Sequence, residues 1–301
     1  MAEGTPEVTR APHHAVDAPL VPPSASQGLL EVFRRRYLLR LLVRREISAR
    51  YQGSFLGLLW SYINPLAQFL IFYFIMGKLV GLGARTENFA IHVFAGLIVV
   101  HFFVETFNAG TRSIVRNKAL VKKMAMPREM FPVATMLVSL WHVGPQLVIL
   151  LIACVYTGWT PDPAGVVAGL LGIGIIMVLG TALALLFSAA NVFFRDFSSA
   201  VSVLTNFVRF SVPMIYPYTM VDTRFDGHES IYLANPIADA VLLMQRAFWV
   251  GTTDDRAETI ATGLPANLFT HGVIALAAAM VVLVIGQLVF SRLENRIPER
   301  L

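Results

Sequence analysis

Long apolar stretches dominate the chain, separated by short polar segments. Stretches at about 56–78, 89–108, 132–156, 164–191, 199–218 and 271–290 are each long enough to cross a hydrocarbon core of ~30 Å, which needs ~20 helical residues. The pattern predicts six membrane-spanning helices. The fifth stretch contains Pro213 and Pro217, which predict a bend or break there. Residues 29–50 follow a different pattern, with leucines among Arg34, Arg35, Arg36, Arg40, Arg44, Arg45 and Arg50. Arg36, Arg40 and Arg44 recur every fourth residue and share one helix face. This predicts a basic helix lying in the membrane interface, its arginine stems snorkelling. Residues 1–28 are rich in Pro, Ala and Ser and hold no signal-peptide core, so they read as a disordered cytoplasmic tail.

Composition strengthens the membrane reading. Of 301 residues, 56% are hydrophobic and only 14% charged, against a usual ~45–50% apolar and ~25% charged. Mean hydropathy is +0.64. Such a chain cannot cover a water-facing globule with polar groups, which excludes soluble enzymes, fibrous proteins and disordered proteins. The single cysteine, Cys154, excludes an intramolecular disulfide framework and a Cys-based zinc site.

Charge supplies orientation. With the N-terminus inside, 18 of the 24 Lys and Arg fall on the cytoplasmic side, 5 fall outside, and Arg209 lies within a span. The positive-inside rule therefore predicts an inner-membrane protein with both termini cytoplasmic. The inside loop 109–131 carries Arg112, Arg116, Lys118, Lys122, Lys123 and Arg128 and predicts a short helix ending near Pro127. The outside segment 219–270 includes an apolar helical pattern at Ala238–Val250, too short to span and suited to dipping into the outer leaflet.

Candidate chemistry is sparse. No GxxxxGK[ST], HExxH or GxSxG sequence occurs, so no phosphate-cradling loop, metal cluster or catalytic residue is predicted. Polar residues within the spans are more informative. At 100° per residue, Ser198, Ser202, Thr205, Arg209 and Tyr216 fall in one arc of the fifth span. Either the arc lines a polar passage and offers Arg209 to an anionic substrate, or it packs against a helix with Arg209 paired to Glu105. His101, Glu105 and Asn108 share a face of the second span, and Thr135, Ser139, His142 and Gln146 one of the third. Gly165, Gly169 and Gly172 predict close helix packing. In the first span Tyr62, Phe69 and Tyr73 form an aromatic stripe. It suits sugar rings on one reading, and lipid contact or core packing on the other.

Four segments resemble one family. Arg50–Gly81 (RYQGSFLGLLWSYINPLAQFLIFYFIMGKLVG) resembles the first-span signature of type-2 ABC exporter permeases of the polysaccharide class. Asn117–Pro132 (NKALVKKMAMPREMFP) resembles their coupling-loop signature, with Met126 where an aromatic residue often stands. Asn191–Phe197 (NVFFRDF) and Asn235-Pro236 followed by Arg246 also match, in family order. The likeness is to the Wzm-type membrane subunit that exports O-antigen, teichoic acid, capsule or galactan chains. It implies an all-α integral membrane fold. Six transmembrane helices would be accompanied by an N-terminal interfacial amphipathic helix, a cytoplasmic coupling helix and short extracytoplasmic gate helices. It further implies a homodimer with two copies of a separate ATPase, which would hold the ATP and Mg, this chain binding no cofactor.

The function expected on that basis is export of a polyprenyl-pyrophosphate-linked glycan, with a drug or small lipid as the alternative cargo and no nucleic acid partner. The lipid pyrophosphate would meet Arg34, Arg35, Arg36 and Arg40. The glycan would pass Tyr62, Phe69, Tyr73, Ser202, Thr205, Arg209 and Tyr216. Arg116, Lys118, Lys122, Lys123, Arg128 and Glu129 would serve coupling to the ATPase. A membrane glycosyltransferase is poorly supported, because Asp196 and Asp254/Asp255 lack partners for a metal. A secondary transporter is disfavoured by the lack of an internal repeat.

Overall fold

The computed structural model describes residues 28–84, 86–124, 126–225 and 229–301. Apart from Gly28, the expected tail lies outside the described residues. Among the described residues the regular structure is entirely helical.

The basic segment forms α1 (Leu29–Arg34) and α2 (Arg36–Tyr51), separated by a break at Arg35. Their apolar side chains Val32, Leu39 and Leu42 join a cluster with Ile114, Val121, Phe131, Phe290 and Ile297. That cluster gathers α1 and α2 at one end of the molecule with α5 (Lys118–Lys123) and α14 (Ile297–Arg300).

The first membrane-length helix, Gly57–Leu79, has α3 (Trp60–Ile71) at its centre. Its far part, Phe72–Leu79, opens into wider π-helical turns, with the Val80 N–H bonding the Ile75 carbonyl (2.9 Å). Gly81 then ends it at φ 80°, a conformation that favours glycine. Four further helices are long and apolar enough to cross: α4 (Phe89–Arg116), α6 (Met130–Tyr156), α7 (Pro163–Phe193) and α13 (Leu268–Glu294).

The fifth predicted span takes another form. α8 (Phe197–Val208) has only 12 residues, or ~18 Å at 1.5 Å per residue. It starts beside the end of α7, where Arg112 reaches the Ser198 carbonyl (3.4 Å), whereas α13 starts at the opposite end of the bundle. Residues 197–267 therefore run between the two ends without one continuous helix. Backbone freed from a helix at membrane depth must find partners within the protein. The Gln245 amide donates to the Pro213 carbonyl (2.8 Å), and the Tyr216 hydroxyl to the Phe210 carbonyl (3.2 Å).

The remaining helices are α9 (Tyr218–Phe225), α10 (Glu229–Leu233), α11 (Pro236–Phe248) and α12 (Arg256–Gly263). Asn235 caps α11, accepting from the Ile237 N–H (3.1 Å), and Pro236 occupies its first turn. Every residue from Ile237 to Ala247 is buried. Gly169 and Gly172 of α7 make room for α11: a Cβ on Gly172 would stand 3.0 Å from the Ala240 carbonyl, and one on Gly169 3.1 Å from the Ala247 Cβ. The predicted close-packing glycines thus receive a short inserted helix. Between α4 and α7 the approach is tighter, since a Cβ on Gly110 would lie 2.4 Å from that of Ala184.

A polar cleft among the membrane-spanning helices

A cleft of about 840 Å³ opens between α3, α4, α6 and the end of α8. From α3 it receives Ser61, Asn64 and Gln68, which lie at i, i+3 and i+7. From α4 come His101, Glu105, Asn108 and Arg112, and from α6 His142 and Gln146. Arg209, just past the last turn of α8, also stands at its wall, as do Arg50 and Arg116.

The position of Arg50, in the last turn of α2, decides how the charges pair. Its guanidinium bonds Glu105, and His142 Nδ1 lies 2.9 Å from the same carboxylate oxygen. Arg50 Nη1 is also 3.1 Å from His142 Nδ1. Glu105 is therefore occupied from two sides. The Arg209 side chain forms no ion pair and no hydrogen bond among the described residues. Of the two arrangements predicted for Arg209, the pair with Glu105 is not the one observed. On the α1–α2 side a second hollow of about 620 Å³ continues past Arg50 to Arg45 and Arg116. There Arg116 pairs with Glu46, and Arg45 bonds Glu46 (2.8 Å) and Asn117.

The residues expected to form one passage are distributed over four places, Arg209 being the one at the cleft. Tyr62, Phe69 and Tyr73 line an apolar groove of about 860 Å³ that shares no lining residue with the cleft. Thr205 is buried in a helix contact: its hydroxyl donates to the Val201 carbonyl (2.9 Å) and accepts from Asn108 Nδ2 (3.0 Å). Ser202 is half-buried one turn earlier. Tyr216 bonds the Tyr232 hydroxyl (3.0 Å) beyond the end of α8. The helical arc that joined these residues on paper ends at Val208, so its angles do not extend to Tyr216.

Arg34, Arg35, Arg36 and Arg40 are exposed and outside the cleft, and Arg35 Nε bonds Glu31 (2.6 Å). Arg50, Arg112 and Arg209 face the cleft instead, with Arg116 lining both hollows. Their signal in the sequence is the continuation of the His101–Glu105–Asn108 stripe by Arg112 and Arg116 at helical spacing.

The predicted coupling surface also divides. Lys118, Lys122 and Lys123 are exposed on α5. Arg128 and Glu129 are buried, a correction to their expected place on a docking surface. Arg128 donates to the Glu294 backbone carbonyl and lies 3.8 Å from its carboxylate, and Glu129 accepts from Gln287 Nε2 (3.1 Å). A charged pair that leaves water needs such partners, and the end of α13 supplies them.

At the opposite end, Asp162 caps α7 through the Gly165 N–H (3.3 Å) and takes a two-pronged bond from Arg246 of α11 (3.0 and 2.6 Å). The Arg246 guanidinium holds the Asp162 carboxyl below the usual carboxylate range. Trp159 stacks on Phe248 (5.7 Å between centroids), and the Thr160 N–H bonds the Gly251 carbonyl (2.9 Å). α11 is thereby anchored to the α6–α7 connection. Among the described residues no group of three or more His, Cys, Asp or Glu could hold a metal.

Five membrane-length helices among the described residues, a broken segment between them and a cation-bearing cleft define a multi-pass integral membrane protein. The family model described as ABC-2 type transporter matches residues 37–249, and the chain belongs to that family. It is similar to the O-antigen export system permease protein RfbA of Klebsiella pneumoniae, 27% identical over 87% of this chain and 94% of that protein. The O-antigen export system permease protein RfbA of Myxococcus xanthus is 29% identical over 73% of this chain and 83% of its own length.

Proposed function

We propose that this chain is the transmembrane subunit of an ATP-driven exporter that carries a polyprenyl-pyrophosphate-linked polysaccharide from the cytoplasm across the plasma membrane. The observation that carries this reading is the cleft, where Arg209 stands without a carboxylate partner among the side-chain amides of Asn64, Gln68 and Gln146. Amides donate to and accept from sugar hydroxyls, and a free guanidinium suits a passing phosphate or carboxylate. Trp60 at the cleft wall offers a ring face to the apolar side of a sugar. Such a lining serves a drug or small apolar lipid less well. The relatives named as O-antigen export permeases favour the same cargo class.

On this reading two copies of the chain assemble with two separate ATPase subunits. Lys118, Lys122 and Lys123 of α5 meet the ATPase, and the end bearing α1, α2 and α14 is cytoplasmic. The exposed Arg34, Arg35, Arg36 and Arg40 first attract the lipid pyrophosphate, and Arg50, Arg112 and Arg116 receive it at the cleft mouth. Export from proteoliposomes containing the chain, its ATPase and a lipid-linked glycan tests the assignment. Arg209→Gln should lower ATP-dependent export about tenfold, equivalent to ~1.4 kcal/mol on the rate-limiting barrier. Its melting temperature should stay near that of the parent, and adding Glu105→Gln should not restore export. Undiminished export by Arg209→Gln would remove the guanidinium from the passage. Export without any ATPase would overturn the reading as a whole.

A further inference from the structure

The apolar groove beside the cleft has a distinct chemistry. It runs between α3 and the last turns of α6, with the first turn of α4 at its back. Its walls include Phe69, Tyr73, Phe74, Val148, Ile152 and Tyr156. α3 separates it from the cleft, turning Ser61, Asn64 and Gln68 one way and Tyr62, Phe69 and Tyr73 the other. At the end away from α1 and α14 the wall carries Lys78, the one cation there among the described residues. Its Nζ lies 5.0 Å from the centroid of the Tyr73 ring. The Lys78 ammonium forms no ion pair and no hydrogen bond among the described residues. The helix bearing it is supported from one side only: Pro65 is buried and Phe69, Phe72 and Met76 lie against the core, while most of its other residues are exposed.

We propose that this groove is a binding site for a phospholipid of the surrounding leaflet with a singly charged anionic headgroup. The acyl chains would lie along the aromatic and aliphatic wall, and the headgroup phosphate would meet Lys78. Three observations select this occupant. An apolar groove at membrane depth is filled by hydrocarbon chains, because water there would find no hydrogen-bond partners. One cation without a carboxylate neighbour complements one negative charge, whereas a pyrophosphate would bring more charge than Lys78 can meet. The separation from the cleft makes the groove a resident site and not part of the cargo path. The lipid would cover the face of the π-helical turns, Phe72–Leu79, that is turned away from α4.

The test uses the whole transporter, this chain with its ATPase, in nanodiscs of phosphatidylglycerol or phosphatidylcholine with the same acyl chains. Native mass spectrometry should show about one phosphatidylglycerol retained per subunit, and melting should be higher in phosphatidylglycerol. Lys78→Gln should abolish retention and the melting difference while leaving melting in phosphatidylcholine unchanged. Val148→Trp, which fills the groove and spares Lys78, should abolish retention as well. The proposal is overturned if retention survives both substitutions, or if polyprenyl monophosphate displaces phosphatidylglycerol. Efficient disulfide formation between two copies of Val148→Cys would overturn it too, placing a second subunit in the groove.

Discussion

The Gly57–Leu79 helix, with α3 at its centre, and α4 are consecutive, apolar and long enough to cross a membrane, yet they occupy opposite situations. In α4 most residues are buried, and in the Gly57–Leu79 helix only Pro65 is. Their mean hydropathies, 1.9 and 1.4, are both those of membrane spans and do not foretell which is the core. Small residues make the difference. Gly96 and Gly110 let α4 approach α11 and α7 to contact distance, whereas α3 presents Tyr62, Leu66, Leu70 and Tyr73 to its surroundings. In lipid, where apolar area alone gives no reason to associate, close packing through small residues selects partners. The cleft lies where these two kinds of helix meet, one wall fixed in the core and the other on a helix held from one side only.

The sharpest way to break this comparison is to add bulk to the fixed wall. Gly110→Leu would drive a side chain into Ala184 of α7, costing ~3 kcal/mol or more through overpacking. Loss of the monodisperse peak in detergent chromatography is the expected result, and near-normal melting would refute the crossing described. A smaller effect is expected at the anchor of α11. Asp162→Asn keeps a helix cap but loses the charged pair with Arg246, at a cost of ~1.5–3 kcal/mol. Because Asp162 is held below its ordinary value of ~3.9, its contribution is complete above that pH and fades as pH falls through the lower folded value. Melting curves of parent and variant should therefore begin to converge below about pH 4 and meet once the pH has passed the lower folded value. The least effect belongs to α3. Ala67→Leu, on an exposed position, should change stability by no more than ~0.5 kcal/mol. A larger loss, read in the same melting assay, would show that a second copy packs on that face.

Apolar runs and proline positions were enough to outline the long helices, and Pro213 and Pro217 marked where the fifth would fail. They could not tell how the break is satisfied, because Gln245 lies 32 residues away from Pro213. The polar faces of α4 and α6 were legible as stripes: His101, Glu105 and Asn108 with His142 and Gln146 line the cleft, and Thr135 and Ser139 line the second hollow. The matching stripe on α3, Ser61, Asn64 and Gln68, was equally regular but overshadowed by the aromatic residues on its other side. Thr205 illustrates the limit of helical arcs, since a polar residue on such an arc serves a passage or a helix contact, and only the neighbour Asn108 decides. Arg128 and Glu129 illustrate the limit of charge counting. Burial against the end of α13 depends on residues more than 150 positions away.

The hydrogen bond between Gln245 and the Pro213 carbonyl also sets an order of events during biogenesis. The carbonyl is made first, and the amide that satisfies it is synthesised 32 residues later. A ribosome emitting α8 has therefore produced a half-length apolar segment whose backbone partner does not yet exist. Until α11 is synthesised, that carbonyl has only water, headgroups or the insertion machinery to meet it. Entry of the fifth segment is thus coupled to a later part of the nascent chain, whereas α4, α6 and α7 carry their backbone partners within themselves.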